Sequence, residues 1–259
     1  MEDLDTIRIL VAGESWISHT IHIKGFDSFT TSEYAEGASW LIAALKEGGA
    51  AVDFIPNHLA SRHFPLSIAE LRSYHVVILS DIGSNTLLLH PDTFSRSALH
   101  PDRCQLLSDY VHEGGGLIMI GGYMSFSGID GRARYGQTVL RNVLPVTMLT
   151  GDDRVERPQG VVPEIVELDH PIFKGIPPFW PKFLGYNRLL PREGGQVLAR
   201  IGEDIFLAVG TYGQGRSVAF ASDCGPHWGP PEFVNWEHYP RFWQNLVKWV
   251  VKGGDSLGG

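Results

Sequence analysis

The sequence predicts a single α/β domain, with a mostly parallel central sheet between layers of helices and an antiparallel extension toward its C-terminal part. Three observations carry this. Over the first ~120 residues, near-continuous apolar runs alternate with segments of helical period, as in strands buried on both faces and joined by crossover helices. Beyond residue ~150 the helical period gives way to short strands separated by glycine turns, which is hairpin patterning. Hydrophobic residues make up 43% of the 259-residue chain and charged residues 19%, enough apolar material for a large core.

The first strand is read at residues 7–13 (IRILVAG). After a loop, Ser32 is placed to cap a helix whose apolar face is Ala38, Leu41, Ile42 and Leu45, stopped by Gly48 and Gly49. Strands follow at 52–55 and 76–80 (VVILS). Pro101 suits the first turn of a helix burying Leu106, Leu107, Tyr110 and Val111, and the glycines at 114–116 end it before a fourth strand at 117–120. Further strands are expected at 161–168 and 183–186, separated by a Pro-rich surface connection at 171–181. Antiparallel strands at 197–201, 205–212 and 216–222 turn at Gly202-Glu203 and at residues 213–215. A last helix at 240–252 buries Phe242, Trp243, Leu246, Val247 and Val250. With no internal repeat and no convincing linker, residues 1–252 read as one domain and 253–259 as a flexible tail.

A formal net charge of -8 repels phosphate backbones and anionic headgroups, so neither nucleic acid nor membrane is expected as a partner. Two cysteines, Cys104 and Cys224, do not make a disulfide scaffold. The acidic opening residues carry no signal or spanning pattern, and a cytoplasmic location is expected.

In an open parallel sheet, ligands bind beyond the carboxyl ends of the strands. That rule selects Glu14, Ser15 and Trp16 after the first strand, Asp81, Ser84 and Asn85 after the third, and Tyr123, Ser125 and Ser127 after the fourth. The strand ending at Ser222 adds Asp223, Cys224, His227 and Trp228. Residues 114–123 (GGGLIMIGGY) form a glycine-bracketed strand running into a tight turn, the geometry of a nucleophile elbow.

On that turn, on His227 late in the chain, and on the segments Tyr212-Gly213-Gln214-Gly215-Arg216 and Ala219-Phe220-Ala221-Ser222-Asp223, the sequence resembles the class I glutamine amidotransferases and their divergent relatives. The resemblance spans residues 7 to 227 and implies a flavodoxin-like three-layer sandwich. It also implies a Gly-x-Cys-x-Gly elbow and a His-x-Glu motif, and here the chain departs from it. The cysteine position falls on Tyr123 or, one residue back, on Gly122, which has no side chain to offer, and the glutamate expected two residues after His227 is Gly229, with Glu232 the nearest carboxylate downstream. A phenol of ordinary pKa ~10 is scarcely ionised at neutral pH, so glutaminase activity is not expected.

The expected site comprises His227, Tyr123 and Ser125 as candidate reactive groups, with Glu14, Asp81, Asn85, Asp223 and Trp228 as ligand-binding groups. Each has a plainer reading beside it. Tyr123 either donates to a ligand or plugs the elbow. Ser125 and Ser127 either replace the nucleophile or form the turn. Cys224 either pairs with His227 or is a small buried hydrophobe. Glu14, Asp81, Asp223 and His227 offer donors suited to a divalent ion, yet their spacing carries no metal signature, and neither metal nor cofactor is assigned. Trp228 and Trp236 either wall a pocket or pack. His19, His22, His58 and His63 read as solvated. The leading expectation is a site for a small polar metabolite without glutaminase chemistry. The alternatives are a hydrolase or isomerase using His227 with Ser125, Cys224 or a metal, and a homo-oligomeric assembly role through exposed aromatics such as Phe179 and Trp180.

Overall fold

The computed structural model describes Leu4 and residues 6–251. The tail expected at 253–259 lies outside the described residues. Strand β1 (Arg8–Gly13) is followed by a ribbon of β2 (Ser15–Lys24) and β3 (Asp27–Glu36), then α1 (Ser39–Glu47), β4 (Ala51–Ile55), α2 (Asn57–His63), α3 (Ile68–Leu71) and β5 (Val76–Ser80). Next come α4 (Ser84–Leu88), α5 (Pro91–Arg96), α6 (Arg103–His112) and β6 (Gly116–Ile120). After a glycine-rich loop stand β7 (Thr147–Met148), β8 (Arg154–Val161), β9 (Glu164–Ile165), β10 (Phe183–Asn187) and β11 (Leu189–Leu190). The chain continues through β12 (Gly195–Ile201), β13 (Asp204–Tyr212), β14 (Gly215–Phe220), α7 (Pro231–Val234) and α8 (Tyr239–Val251).

Eight strands make one sheet in the order β4-β1-β5-β6-β14-β13-β12-β9. From β4 to β14 the pairing is parallel, and from β14 to β9 it is antiparallel. The expected α/β sandwich with an antiparallel extension is therefore what forms, and β14 is its joint. The central strands β1, β5 and β6 are apolar on both faces because both are covered: α1 packs with α8, while α6 groups with α3 and α4.

Several local expectations are corrected. Residues 15–36 are not a loop ending in a cap. Ser32 lies inside β3, its hydroxyl 2.8 Å from the His19 ring, and α1 begins at Ser39 without a side-chain cap. The cause is alternation in β2, where Ile17, Ile21 and Ile23 share a face, and a two-residue turn with Gly25 at φ 64°. Pro101 precedes α6, whose cap is Asp102, accepting from the Cys104 and Gln105 N–H groups. Pro163 interrupts the strand expected at 161–168, leaving β8 and the two-residue β9. Trp180 is not an exposed interface residue, for it is buried among Phe173, Phe206, Trp236 and Phe242; Phe179 beside it is exposed.

Candidate functional site

Register brings the strand ends into line. Gly13 lies opposite Ser80, Ser80 opposite Ile120, and Ile120 opposite Phe220. Whatever follows these four residues must leave the sheet at one edge. There Glu14, Trp16, Asp81, Tyr123, Asp223 and His227 line a hollow of about 340 Å³. Tyr123 and His227 meet edge to face, ring centroids 4.5 Å apart.

Backbone geometry fixes the carboxylates. Glu14 and Asp81 have φ of 46° and 45°, a left-handed conformation that side chains other than glycine, asparagine and aspartate seldom adopt. At Glu14 such strain, of order 1–3 kcal/mol, persists only where surroundings over-determine it, and strain of this kind gathers at functional sites. Glu14 donates its N–H to Ser80 O (2.6 Å) and accepts from the Ser80 hydroxyl. Asp81 accepts from the Met124 N–H at 2.6 Å and donates its own N–H to the Ser125 hydroxyl at 3.1 Å. Between Asp81 and Asp223 passes Gly122, at φ 139°; a Cβ there would lie 2.8 Å from Asp81 Oδ1 and 3.0 Å from Asp223 Oδ1. Only a residue without a side chain lets the turn run between the two acids.

The turn is held from behind by residues that sequence reasoning did not single out. Asn187, fully buried at the end of β10, accepts from the Gly122 N–H (2.9 Å) and donates to Gly122 O (3.1 Å) and Asp153 Oδ1 (2.8 Å). Asp153 accepts from the Ser127 and Gly128 N–H groups, both at 2.9 Å. Glu156 on β8 bridges the aromatic wall, accepting from the Tyr123 hydroxyl and the Trp228 indole N–H, each at 3.0 Å. Arg154 lies over the Tyr123 ring at 5.0 Å. Asn187 on β10 and the polar residues at and before the start of β8 carry no motif, so only the run of charge in Asp152-Asp153-Arg154-Val155-Glu156 could have drawn notice.

The resemblance places an orienting carboxylate after His227; the structure supplies one from before it. Asp223 Oδ2 sits 2.8 Å from His227 Nδ1 and also accepts the Trp228 N–H at 2.9 Å. The ring stacks on Trp228, and its Nε2 has no hydrogen-bond partner among the described residues. Burial on its own would lower the His227 pKa, but the bond from Asp223 and the charges of Asp223, Glu156 and Asp81 outweigh it and raise the value. Burial raises Glu14, helped by the neighbouring Asp223 and Asp81, and raises Asp81 to about 6, with Asp223 adding to the shift. Asp223 is raised by burial and drawn back down by His227. Burial and the bond to Glu156 raise Tyr123, so its phenol is a protonated donor and not a nucleophile.

Other expected residues are placed elsewhere or otherwise occupied. Ser125 is buried, donating to Ile120 O at 2.5 Å while accepting from Asp81, so it builds the turn. Ser127 likewise serves the loop, donating to Leu149 O. Asn85 is exposed on α4 and does not line the hollow. Cys224 is buried beside Ser80, its thiol pushed well up by burial and then by Glu14, which leaves no thiolate for His227 to activate. Trp228 is buried behind His227, whereas Trp236 packs on Trp180 away from the site. Three metal-ligating atoms within 4.8 Å of one another occur among the described residues only at His90, Asp92 and His100, not in the hollow. There His90 Nδ1 caps α5 by accepting the Asp92 N–H. A larger depression, about 790 Å³ and lined by Lys174, Arg216 and Lys248 among others, contains none of these acids. Arg216 lies near the start of β14, the end opposite Asp223, so this space is remote from the elbow.

Fold and site define a class: an α/β protein with an elbow turn after a central parallel strand and an imidazole–carboxylate pair delivered from the neighbouring strand. The family model described as "Putative glutamine amidotransferase" (GATase1_like) matches residues 8–252, and the chain belongs to that family. Two solved structures are similar over nearly their whole length. Cytoplasmic Protein STM1381 from Salmonella typhimurium LT2 is 50% identical with a TM-score of 0.91, covering 94% of this chain and 99% of its own. Cytoplasmic Protein STM3548 from Salmonella typhimurium is 47% identical with a TM-score of 0.90, covering 93% and 98%. A structure described as "Putative thua-like protein" from Bacteroides uniformis ATCC 8492, 13% identical with a TM-score of 0.59 over 99% of this chain and 95% of its own, shares the fold. No curated protein matches the chain.

Proposed function

We propose that the hollow binds a small polar metabolite bearing an amine or several hydroxyl groups, without glutaminase chemistry. The observation that carries this reading is the lining itself: three carboxyl groups, one imidazole and one phenol face about 340 Å³, with no lysine or arginine among them. Burial first, and then mutual repulsion, raises Glu14 and Asp81, and a cationic or donor-rich ligand would offset both. The volume is at the small end of ligand sites, which run ~300–1,000 Å³. Against thioester chemistry stands the elbow turn, whose Tyr123 side chain is a phenol hydrogen-bonded to Glu156 and a poor acyl acceptor beside a thiolate. The name of the two Salmonella relatives, together with two unpaired cysteines, accords with a cytoplasmic location. No helix among the described residues is long and apolar enough to cross a membrane.

A panel of small amines, polyols and carboxylic acids screened by thermal unfolding tests the reading. A ligand at ~100 times its Kd adds about 2.7 kcal/mol, which moves Tm by roughly 5–10 °C in a chain of this size. Amines or polyols are expected to produce such a shift and Asp81→Asn to abolish it. Stabilisation by carboxylic acids alone would overturn the reading, as would steady ammonia release from glutamine that disappears in His227→Ala.

A second reading is favoured by one specific contact, the 2.8 Å bond between Asp223 and His227 Nδ1. That bond fixes the tautomer and leaves Nε2 as a general base, the role imidazole plays in hydrolases and isomerases. Glu14, its pKa raised by burial and then by the neighbouring Asp223 and Asp81, would serve as the acid across the hollow. A pH–rate profile with a limb that vanishes in Asp223→Asn would distinguish such an enzyme from a binding protein.

A further inference from the structure

The ribbon formed by β2 and β3 has no evident reason to be stable alone. Its strands run ten residues each and pair only with one another, so both edges are open among the described residues. An isolated two-stranded ribbon is marginal in water, and a long open edge is a template for unwanted pairing unless something covers it. At ~3.4 Å per residue the ribbon extends about 34 Å. Among the described residues the ribbon is tied to the body at its root, where Asn57 donates its backbone N–H to the Ser15 hydroxyl and its side-chain amide to Ser15 O, and Tyr34 meets the His58 ring.

Cross-strand register sorts the side chains onto two faces. One face carries Ile17 opposite Tyr34, Ile21 opposite Thr30, and Ile23 opposite Ser28. Ile17, Ile21 and Ile23 are 48%, 67% and 76% exposed, and Phe26 at the tip is 111% exposed. Between residues 17 and 34 this face bears no Lys, Arg, Asp or Glu; Lys24, Asp27 and Glu33 all fall on the other. In a chain of net charge -8, that makes it a place where a second copy could approach without like-charge contact.

We propose that the ribbon is a docking arm through which two copies of this chain pair about a two-fold axis, isoleucine face against isoleucine face. The area fits. Ile17, Ile21, Ile23 and Tyr34 offer roughly 450 Å² of exposed side chain, and the exposed serine, threonine and histidine groups between them, with Phe26 at the tip, bring each copy near the ~800 Å² per partner of a standard interface. An isologous contact also suits a surface that is uncharged and self-similar along its length. Because Trp16 roots the arm and lines the hollow, docking would hold one wall of the site in place.

Sedimentation velocity on the full chain from about 1 to 50 μM tests the proposal. The wild type is expected to sediment as a dimer. The double variant Ile21→Glu/Ile23→Glu is expected to be a monomer with unchanged far-UV circular dichroism, since these side chains leave the core untouched, and Phe179→Glu to remain a dimer. Should the double variant fail to fold, Ile21→Cys gives an independent readout. On mild oxidation it is expected to cross-link into covalent dimers, whereas Phe94→Cys, exposed on α5, is not. A monomeric wild type at every concentration overturns the proposal, whether or not it floats with phosphatidylcholine vesicles or binds another protein. A double variant that stays dimeric overturns it as well.

Discussion

Asn187 shows how one side chain can hold a site it does not face. Its amide oxygen and nitrogen satisfy both backbone groups of Gly122, and its remaining hydrogen goes to Asp153, which in turn gathers two N–H groups of the same loop. Truncation strands buried donors and acceptors, each costing about 1–3 kcal/mol. Asn187→Ala is therefore expected to destabilise the protein by roughly 3 kcal/mol in urea unfolding, and to abolish the ligand shift as the elbow relaxes. Tyr123→Phe is a gentler test of a single hydroxyl. It keeps the ring against His227 but releases Glu156, and the loss of one charge-assisted bond is expected to lower stability by only about 1–2 kcal/mol. If that variant binds ligand as tightly as the wild type, the phenol serves the wall and not the ligand.

Among the elements, the helices on the α6 side are joined by a buried cation. Arg103 opens α6 and donates to Leu87 O and Thr86 O at the end of α4, and to Ala60 O and Ser61 O in α2. Backbone carbonyls near helix C-termini carry partial negative charge, so a planar guanidinium with several donors suits the junction. Burial lowers the Arg103 pKa, yet guanidinium remains charged at any physiological pH. Arg103→Lys keeps the charge but has too few donors in too compact a head. We expect it to cost about 2–4 kcal/mol by chemical denaturation, with the hollow's ligand preference unchanged because α6 lies away from it. A loss confined to ligand binding, with stability intact, would contradict this account.

Across the whole molecule the acids of the hollow set a pH dependence whose sign is unusual for carboxylates. Asp81 titrates near 6 when folded and near ~3.9 when unfolded, so between these values the folded state holds a proton that the unfolded state has lost. Stability therefore falls as pH rises through that window and stays lower above it. His227, raised above its ordinary value, acts in the same direction: its contribution is complete below ~6.5 and is lost as pH climbs through the folded pKa. Asp152, held well below the usual range by Arg154, opposes this trend only at more acid pH. From Asp81 alone, unfolding free energy at pH 5 is expected to exceed that at pH 8 by about 1–1.5 kcal/mol, with His227 adding in the same direction, and the difference to shrink in Asp81→Asn. Binding of an amine should show the reverse trend, tightening as pH rises past 6, because the ligand competes with the proton on Asp81. Equal stability at both pH values would show that the carboxyls are not held apart from water as described.

The sequence by itself determined the parallel strands and the edge at which they end. Runs such as IRILVAG and VVILS admit only burial on both faces, and glycines at 121 and 122 mark the elbow, because these are local consequences of apolar period and backbone freedom. It placed Glu14, Asp81, Tyr123, Asp223 and His227 at strand ends, where parallel register then brings them together. Tertiary structure alone decided what each does. That Ser125 is spent on Asp81, that Asp223 and not a downstream glutamate orients His227, and that Asn187 and Glu156 support the turn all depend on contacts across 34 to 72 positions of chain or on a hydrogen-bond choice between near neighbours. The β2–β3 ribbon escaped notice for a related reason. Its alternation is real, but strands that face water on both sides carry no apolar run to announce them, and only the paired register reveals which face awaits a partner.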